Sequence, residues 1–273
     1  MKLLGIGDNV VDYYRDQGLM YPGGNALNVA VAARRGGAAG CGYLGIVGDD
    51  AAAAHVVDCL GREGIDASRL RRAYGPNGEA VVALTPDGDR TFAGTNRGIR
   101  VQSRLTLRLT QDDLDYIDGF DVVHTSVNSD TEHELPRMAR RPVSFDFSTP
   151  QRWDADYLRR VCPYLTYAFF SGSGLTAGDI RSLIEDVHRL GVPVVGVTRG
   201  AEPAVFSENG AVFEQRPAPA EIVDTMGAGD SFIGAFLAAY HDSRDMRGAL
   251  ARAAEAAAAT CGTYGAFGYG KSK

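Results

Sequence analysis

Short apolar runs alternate with helix-period patterns along almost the whole chain, and this alternation restricts the fold more than any other property of the sequence. Runs at 3–7, 42–47, 121–125, 143–147, 166–170 and 194–198 read as strands; 26–35, 51–61, 176–190, 228–241 and 246–261 read as helices. Repeated strand-then-helix order requires crossover connections, hence a mostly parallel central sheet with helices on both faces. Ligands in such folds sit at the carboxyl ends of the strands, where the glycine-rich segments of this chain fall. With 273 residues, 45% of them apolar, the chain can bury one large core. No repeat, low-complexity tract or linker divides it, so residues 1–273 read as a single α/β domain.

One segment, roughly within 74–100, breaks the alternation. Apolar stretches at 79–84 and 90–93 flank Thr85-Pro86-Asp87-Gly88-Asp89, a turn composition, so the segment reads as an antiparallel hairpin. A lone hairpin is only marginally stable. Its two apolar faces must pack on the main body, a substrate or another subunit. The expectation is a small β lid, with a homodimer through it; the alternative is an edge hairpin of the main sheet.

A net charge of −6 argues against a nucleic-acid partner, which needs a basic face. Lysine occurs only at Lys2, Lys271 and Lys273. That excludes a Walker A loop, a protein-kinase lysine and a Schiff-base amine from the interior of the sequence. Cys41, Cys59, Cys162 and Cys261 are widely spaced, with no C-x-x-C and no His at ligand spacing, which argues against zinc and for a reduced, cytoplasmic protein. The apolar run at the start is too short for a signal peptide, and no stretch approaches the roughly 20 apolar residues that cross a bilayer.

Three segments carry chemistry. In Asp224-Thr225-Met226-Gly227-Ala228-Gly229-Asp230-Ser231-Phe232, a tight glycine loop opens an apolar helix. Unpaired amides and the positive end of the dipole make such a start an anion site. Asp230 in that first turn is a candidate base toward a substrate hydroxyl, or simply a helix cap. In Tyr21-Pro22-Gly23-Gly24-Asn25-Ala26-Leu27-Asn28, Asn25 and Asn28 share a helix face, and amides that both donate and accept suit sugar hydroxyls; the alternative is Asn25 as N-cap beside a solvated Asn28. Asp12, past the first strand, suits paired hydroxyls or a turn. Gly5-x-Gly7 lacks the third glycine of a dinucleotide fingerprint, since Val10 stands there, so a dehydrogenase is disfavoured.

Together these segments resemble the PfkB (ribokinase-like) carbohydrate kinase family. The likeness rests on Gly23-Gly24-Asn25-x-x-Asn28-x-Ala30 with Gly45-x-x-Gly48-Asp49-Asp50, and on Asp224 to Phe232. Gly7-Asp8-Asn9-x-x-Asp12 and Phe145-Asp146-Phe147-Ser148 before Trp153 are most similar to the branch of the family that phosphorylates fructoselysine. The resemblance implies a three-layer α/β fold and ATP- and Mg²⁺-dependent phosphorylation of a sugar hydroxymethyl group. It implies Asp230 as catalytic base, with Gly227, Ala228 and Gly229 as anion hole. Asp12, Gly24, Asn25 and Asn28 match sugar-binding positions, and Asp8 and Gly23 stand in the same motifs. Thr198 and Gly200 match the start of the nucleotide loop, which Gly229 also touches, and Arg199 between them is a further charge for the nucleotide's phosphoryl group; Asp224 and Thr225 match a monovalent-cation position used by some members. Two departures stand out. Ser171-Gly172-Ser173-Gly174 replaces the family's Asn-x-x-Glu, and Pro203 replaces a glycine of the nucleotide loop. A sugar bearing a lysine would also need its carboxylate and amine matched, with Arg90 and Arg97 as candidates for the first and Asp87 and Asp89 for the second. The rivals are a kinase for a simple sugar or nucleoside, and a non-catalytic sugar or nucleotide sensor.

Overall fold

The computed structural model describes residues 1–84 and 90–273. Along these residues the first strands are β1 (Lys2–Gly7), β2 (Val10–Tyr14), β3 (Leu19–Gly23), β4 (Gly40–Val47), β5 (Arg71–Arg72), β6 (Glu79–Leu84) and β7 (Arg90–Thr95). They are followed by β8 (Val122–Ser126), β9 (Val143–Asp146), β10 (Tyr167–Ser171), β11 (Val194–Arg199), β12 (Glu202–Glu208), β13 (Ala211–Gln215) and β14 (Lys271–Ser272). The helices are α1 (Asn25–Arg35), α2 (Ala51–Arg62), α3 (Val101–Arg104), α4 (Gln111–Ile117), α5 (Leu135–Met138), α6 (Ala155–Val161), α7 (Ala177–Arg189), α8 (Ala228–Ser243) and α9 (Met246–Cys261).

Among the described residues the large sheet runs β13-β12-β11-β10-β9-β8-β1-β4-β5, parallel from β11 to β5 and antiparallel only at the β12 and β13 edge. Its central strands are apolar on both faces because helices cover both. Successive side chains point to opposite faces: Leu3 joins one core with Val29, Phe169, Phe236 and Tyr240. Leu4 joins the other with Leu44, Phe145, Phe170 and Ile184. The six expected parallel strands and five expected helices all form, with ends shifted by one or two residues.

The expected hairpin pairs as β6 and β7, and the alternative of an edge hairpin on the main sheet does not hold. It belongs to a second sheet, β14-β3-β2-β6-β7, in which β2 pairs parallel with β6 and antiparallel with β3. Its turn, including Asp87 and Asp89, lies outside the described residues, as does the side chain of Arg90. The sequence reading missed β2 and β3, because β2 starts just after β1 and carries Asp12 among its apolar residues. The Gly48-Asp49-Asp50 motif serves this second sheet. Asp49 accepts from the Gly75 amide at 3.0 Å and Asp50 from the Asn77 amide at 3.0 Å, fixing the approach to β6. Asp50 also caps α2 through the Ala53 amide at 2.9 Å.

Two helices bring the glycine-rich segments together. α1 begins at Gly24, whose φ of +111° suits glycine, since a Cβ would also sit 2.6 Å from the Asn9 Cα. α8 begins at Gly227, with φ +73° and no room for a Cβ beside Ala266. The two helices pack at very short range: a Cβ on Gly234 would lie 2.6 Å from the Ala32 Cβ and 2.7 Å from the Ala33 nitrogen. This contact predicts an inverted substitution effect. Gly234→Ala should stabilise a helix interior by about 1 kcal/mol on propensity alone. Overpacking here should cost about 3 kcal/mol, the upper end of the usual range because backbone atoms are in the way, and so outweigh that gain and lower the melting temperature. A thermal melt showing an unchanged or raised temperature would remove the close packing from the account.

Candidate active site

Asp230 stands in the first turn of α8, and its carboxylate is held by both asparagines of α1. Asn25 Nδ2 donates to Oδ1 at 2.7 Å and Asn28 Nδ2 donates to Oδ2 at 2.7 Å. Each carboxylate oxygen keeps further lone-pair capacity. The Oδ1 atom of Asn28 is a buried acceptor without a protein partner among the described residues, which suits a hydroxyl donor. Asn25 is the first residue of α1 and not its N-cap, and Asn28 is buried. The alternative of a cap beside a solvated residue is therefore excluded.

A second carboxylate, which the sequence reading did not single out, shares the same amide. Asn25 Nδ2 also donates to Asp146 Oδ2 at 2.6 Å, at the carboxyl end of β9. Behind it, His124 Nε2 lies 3.0 Å from Asn25 Oδ1, and His124 Nδ1 lies 2.8 Å from the Ser144 hydroxyl. Burial holds the His124 pKa down to about 3, so the ring is neutral. With the Asn25 NH₂ group committed to two carboxylates, its Oδ1 must accept, so His124 carries its proton on Nε2 and accepts at Nδ1 from Ser144. Burial first, and then the charge of Asp230, push the Asp146 carboxyl up to about 7. The available signal was an ionisable residue inside a short strand: His124 in Val122–Ser126 and Asp146 in Val143–Asp146.

The anion hole expected at Gly227, Ala228 and Gly229 lies at this same corner. The N-cap of α8 is Gly227, which brings no capping side chain of its own, and a Cβ built on exposed Gly229 would meet nothing within 4 Å. An open helix start with room beside its backbone suits a phosphate. Thr198, Arg199 and Gly200 form the carboxyl end of β11 and the turn after it, with Gly200 exposed at φ +62° and open space around it. Arg199, read as a further charge for the phosphoryl group, already forms an ion pair with Glu202.

The other expected residues divide into anchors and outliers. Asp8 caps α1 from outside the helix, accepting from the Asn25 amide at 2.7 Å, the Ala26 amide at 3.2 Å and the Ser129 hydroxyl at 2.8 Å. Asp12 is buried in β2, so close over Gly23 that a Cβ there would lie 2.3 Å from its Oδ2. Asp224 is fully buried and accepts from the Tyr14 hydroxyl, the Met226 amide at 2.9 Å and the Gly265 amide at 2.8 Å. These three bonds make Asp224 a fastening for the loop that Thr225 continues. Arg97 is exposed beyond β7. The expectation of no His at ligand spacing from a cysteine is corrected: His55 and Cys59 lie one turn apart in α2, Sγ 3.7 Å from Nδ1, with Asp58 alongside. His55 Nε2 already donates to the Tyr269 carbonyl at 2.7 Å.

Among the described residues no helix is long and apolar enough to cross a membrane. Solved structures similar to this one include a ribokinase from Arabidopsis thaliana complexed with ribose and ATP, at TM-score 0.82 and 21% identity, covering 97% of this chain and 94% of that one. A putative ribokinase II from E. coli in complex with ATP and Mg²⁺ matches at TM-score 0.79 and 22% identity, covering 97% and 94%. Among sequences, the chain is 52% identical over 271 residues to fructosamine kinase FrlD of Bacillus subtilis, covering 99% of this chain and 94% of that protein. It is 32% identical to fructoselysine 6-kinase of Escherichia coli, covering 98% and 100%. The family model of the pfkB carbohydrate kinases matches residues 6–268. The chain belongs to the pfkB family of carbohydrate kinases and is a sugar kinase.

Proposed function

We propose that the protein phosphorylates the primary hydroxyl of a fructosamine such as fructoselysine, with ATP as phosphoryl donor and Asp230 as general base. The observation that carries this reading is the Asp230 carboxylate, held by two amides at the mouth of a helix that starts on Gly227. The fructosamine part draws on the 52% identical relative, whose name states that activity.

The mechanism follows from charge and position. Phosphoryl transfer asks little covalent help of a protein, so orientation and electrostatics dominate. Asn25 and Asn28 aim the carboxylate, and the free Oδ1 of Asn28 receives a sugar hydroxyl. Asp230 takes the proton of the reacting hydroxyl as that oxygen is phosphorylated. The Gly227 and Gly229 amides receive the charge that develops on the phosphoryl oxygens, while the Ala228 amide donates to the Thr225 carbonyl at 3.3 Å. Thr198 and Gly200 border the nucleotide. Mg²⁺, when bound with the nucleotide, neutralises phosphate charge. Ser171-Gly172-Ser173-Gly174 brings no carboxylate for the ion, so no residue of this chain is assigned as its ligand. The second sheet, as a lid over the sugar, excludes the water that would otherwise hydrolyse ATP.

Asp230→Asn should lower kcat by about 10²–10⁴-fold with the fold intact by circular dichroism. Turnover near that of the unaltered enzyme would refute the base. Asp146 yields a prediction about stability. Its carboxyl is pushed up to about 7 in the folded chain, against an ordinary value near 4 in the unfolded one. Between those values the folded state binds more protons, so the unaltered protein loses stability as pH rises through that window. Asp146→Asn abolishes this contribution. Its melting temperature, measured relative to the unaltered protein, should therefore rise steadily from about pH 4 to pH 7. A difference independent of pH would contradict the raised carboxyl.

A further inference from the structure

A cavity of about 220 Å³ opens beside the candidate active site, and no role for it has yet been assigned. Asp8, Arg100, Gln102, Arg104, Asn128 and Asp130 line it. It lies at the carboxyl ends of β1, β4 and β8, the same end of the sheet as Asp146, and Asp8 borders it while capping the helix that carries Asn25. Its walls are anchored: the Val101 amide donates to the Pro76 carbonyl at 3.0 Å, tying α3 to the approach of β6.

Two groups on its walls lack the partners their chemistry calls for. Arg100 is half-buried, its Nε donates to the Ser103 hydroxyl at 2.8 Å, and it forms no ion pair among the described residues. Burial and the charge of Arg97 hold its pKa below the ordinary value, while Asp8 and Asp130 act in the opposite sense. A half-buried guanidinium without a carboxylate is incompletely compensated, because taking an unpaired charge even partly out of water is costly. Gln102 shows the complementary lack. Its Nε2 is committed to Asn77 Oδ1 at 2.9 Å and Asn9 Oδ1 at 3.2 Å, which fixes the amide orientation. Its Oε1 is then a buried acceptor with no protein partner among the described residues. The cavity thus offers a planar cation fit for a carboxylate, and an acceptor together with the exposed acid Asp130 fit for an ammonium.

We infer that this cavity is the specificity subsite for the amino-acid end of the substrate, with Arg100 receiving its carboxylate and Gln102 Oε1 and Asp130 receiving its ammonium. The inference rests on the fructosamine reading above and deepens it. It replaces Arg90 and Arg97 as receptors of the carboxylate. The side chain of Arg90 lies outside the described residues, and Arg97 is exposed.

The test uses the whole enzyme with ATP and Mg²⁺, reading ADP release on fructoselysine, on the fructosamine of cadaverine, which lacks only the carboxylate, and on 1-amino-1-deoxyfructose, which lacks the entire amino-acid end. For Arg100→Met, KM for fructoselysine should rise about tenfold or more, the worth of one charge-assisted pair. Its kcat, and both constants for the two substrates without a carboxylate, should stay within about twofold. Arg100→Lys should recover part of the loss, since it restores charge without the planar fork. An equal rise for all three substrates, or no rise for any, overturns the subsite while leaving the fructosamine reading in place. If the unaltered enzyme phosphorylates fructose but none of the three amino sugars, the substrate reading fails, and the subsite falls with it.

Discussion

The site is organised around the single NH₂ group of Asn25. Both of its hydrogens are committed, one to Asp230 and one to Asp146. This brings two carboxylates from different elements, α8 and β9, to one corner. Two like charges so placed are costly unless something bridges them or one takes up a proton. Here both remedies operate: the amide bridges, and Asp146, its carboxyl pushed up to about 7, holds a proton to near neutrality. The amide cannot flip, because neutral His124 donates to its oxygen and is itself oriented by Ser144. A polar chain that starts in the sheet interior therefore ends at the candidate base. Each member is satisfied by the next, as a buried network must be.

The second organising constraint is the pairing of two helix starts. α1 and α8 come within reach through small residues at Ala32 and Gly234, and this sets Asn25 and Asn28 against Asp230. The two starts are treated differently. The Asn25 and Ala26 amides of α1 donate to Asp8, whereas α8 starts on Gly227, which brings no capping side chain of its own. One positive helix end is thus neutralised within the protein and the other stays open for an anionic ligand.

Much of this was legible in the residues. The parallel sheet announced itself because strands buried on both faces are continuous apolar runs, and the Gly227-Ala228-Gly229-Asp230 turn because loop, helix start and acid are contiguous in sequence. The resemblance to the PfkB family supplied the pairing of that turn with Asn25 and Asn28, which spacing alone does not give. Long-range polar contacts were not legible. Asp146 and His124 lie in short strands beside serine and threonine residues that look equally polar, and only the fold shows that they meet Asn25. That Asp8 also caps a helix and Asp224 also fastens a loop was not legible, because such structural bonds of a carboxylate carry no separate mark in the sequence. Arg100 and Gln102 gave no sign at all, since their missing partners become visible only when the cavity around them is seen.

The Tyr14 to Asp224 bond ties β2 of the second sheet to the loop that opens α8. The two sheets are therefore joined through a buried side-chain bond, and a tilt of the small one would be opposed at Asp224, three residues before Gly227. The tyrosine that makes this tie belongs to neither of the two signature segments.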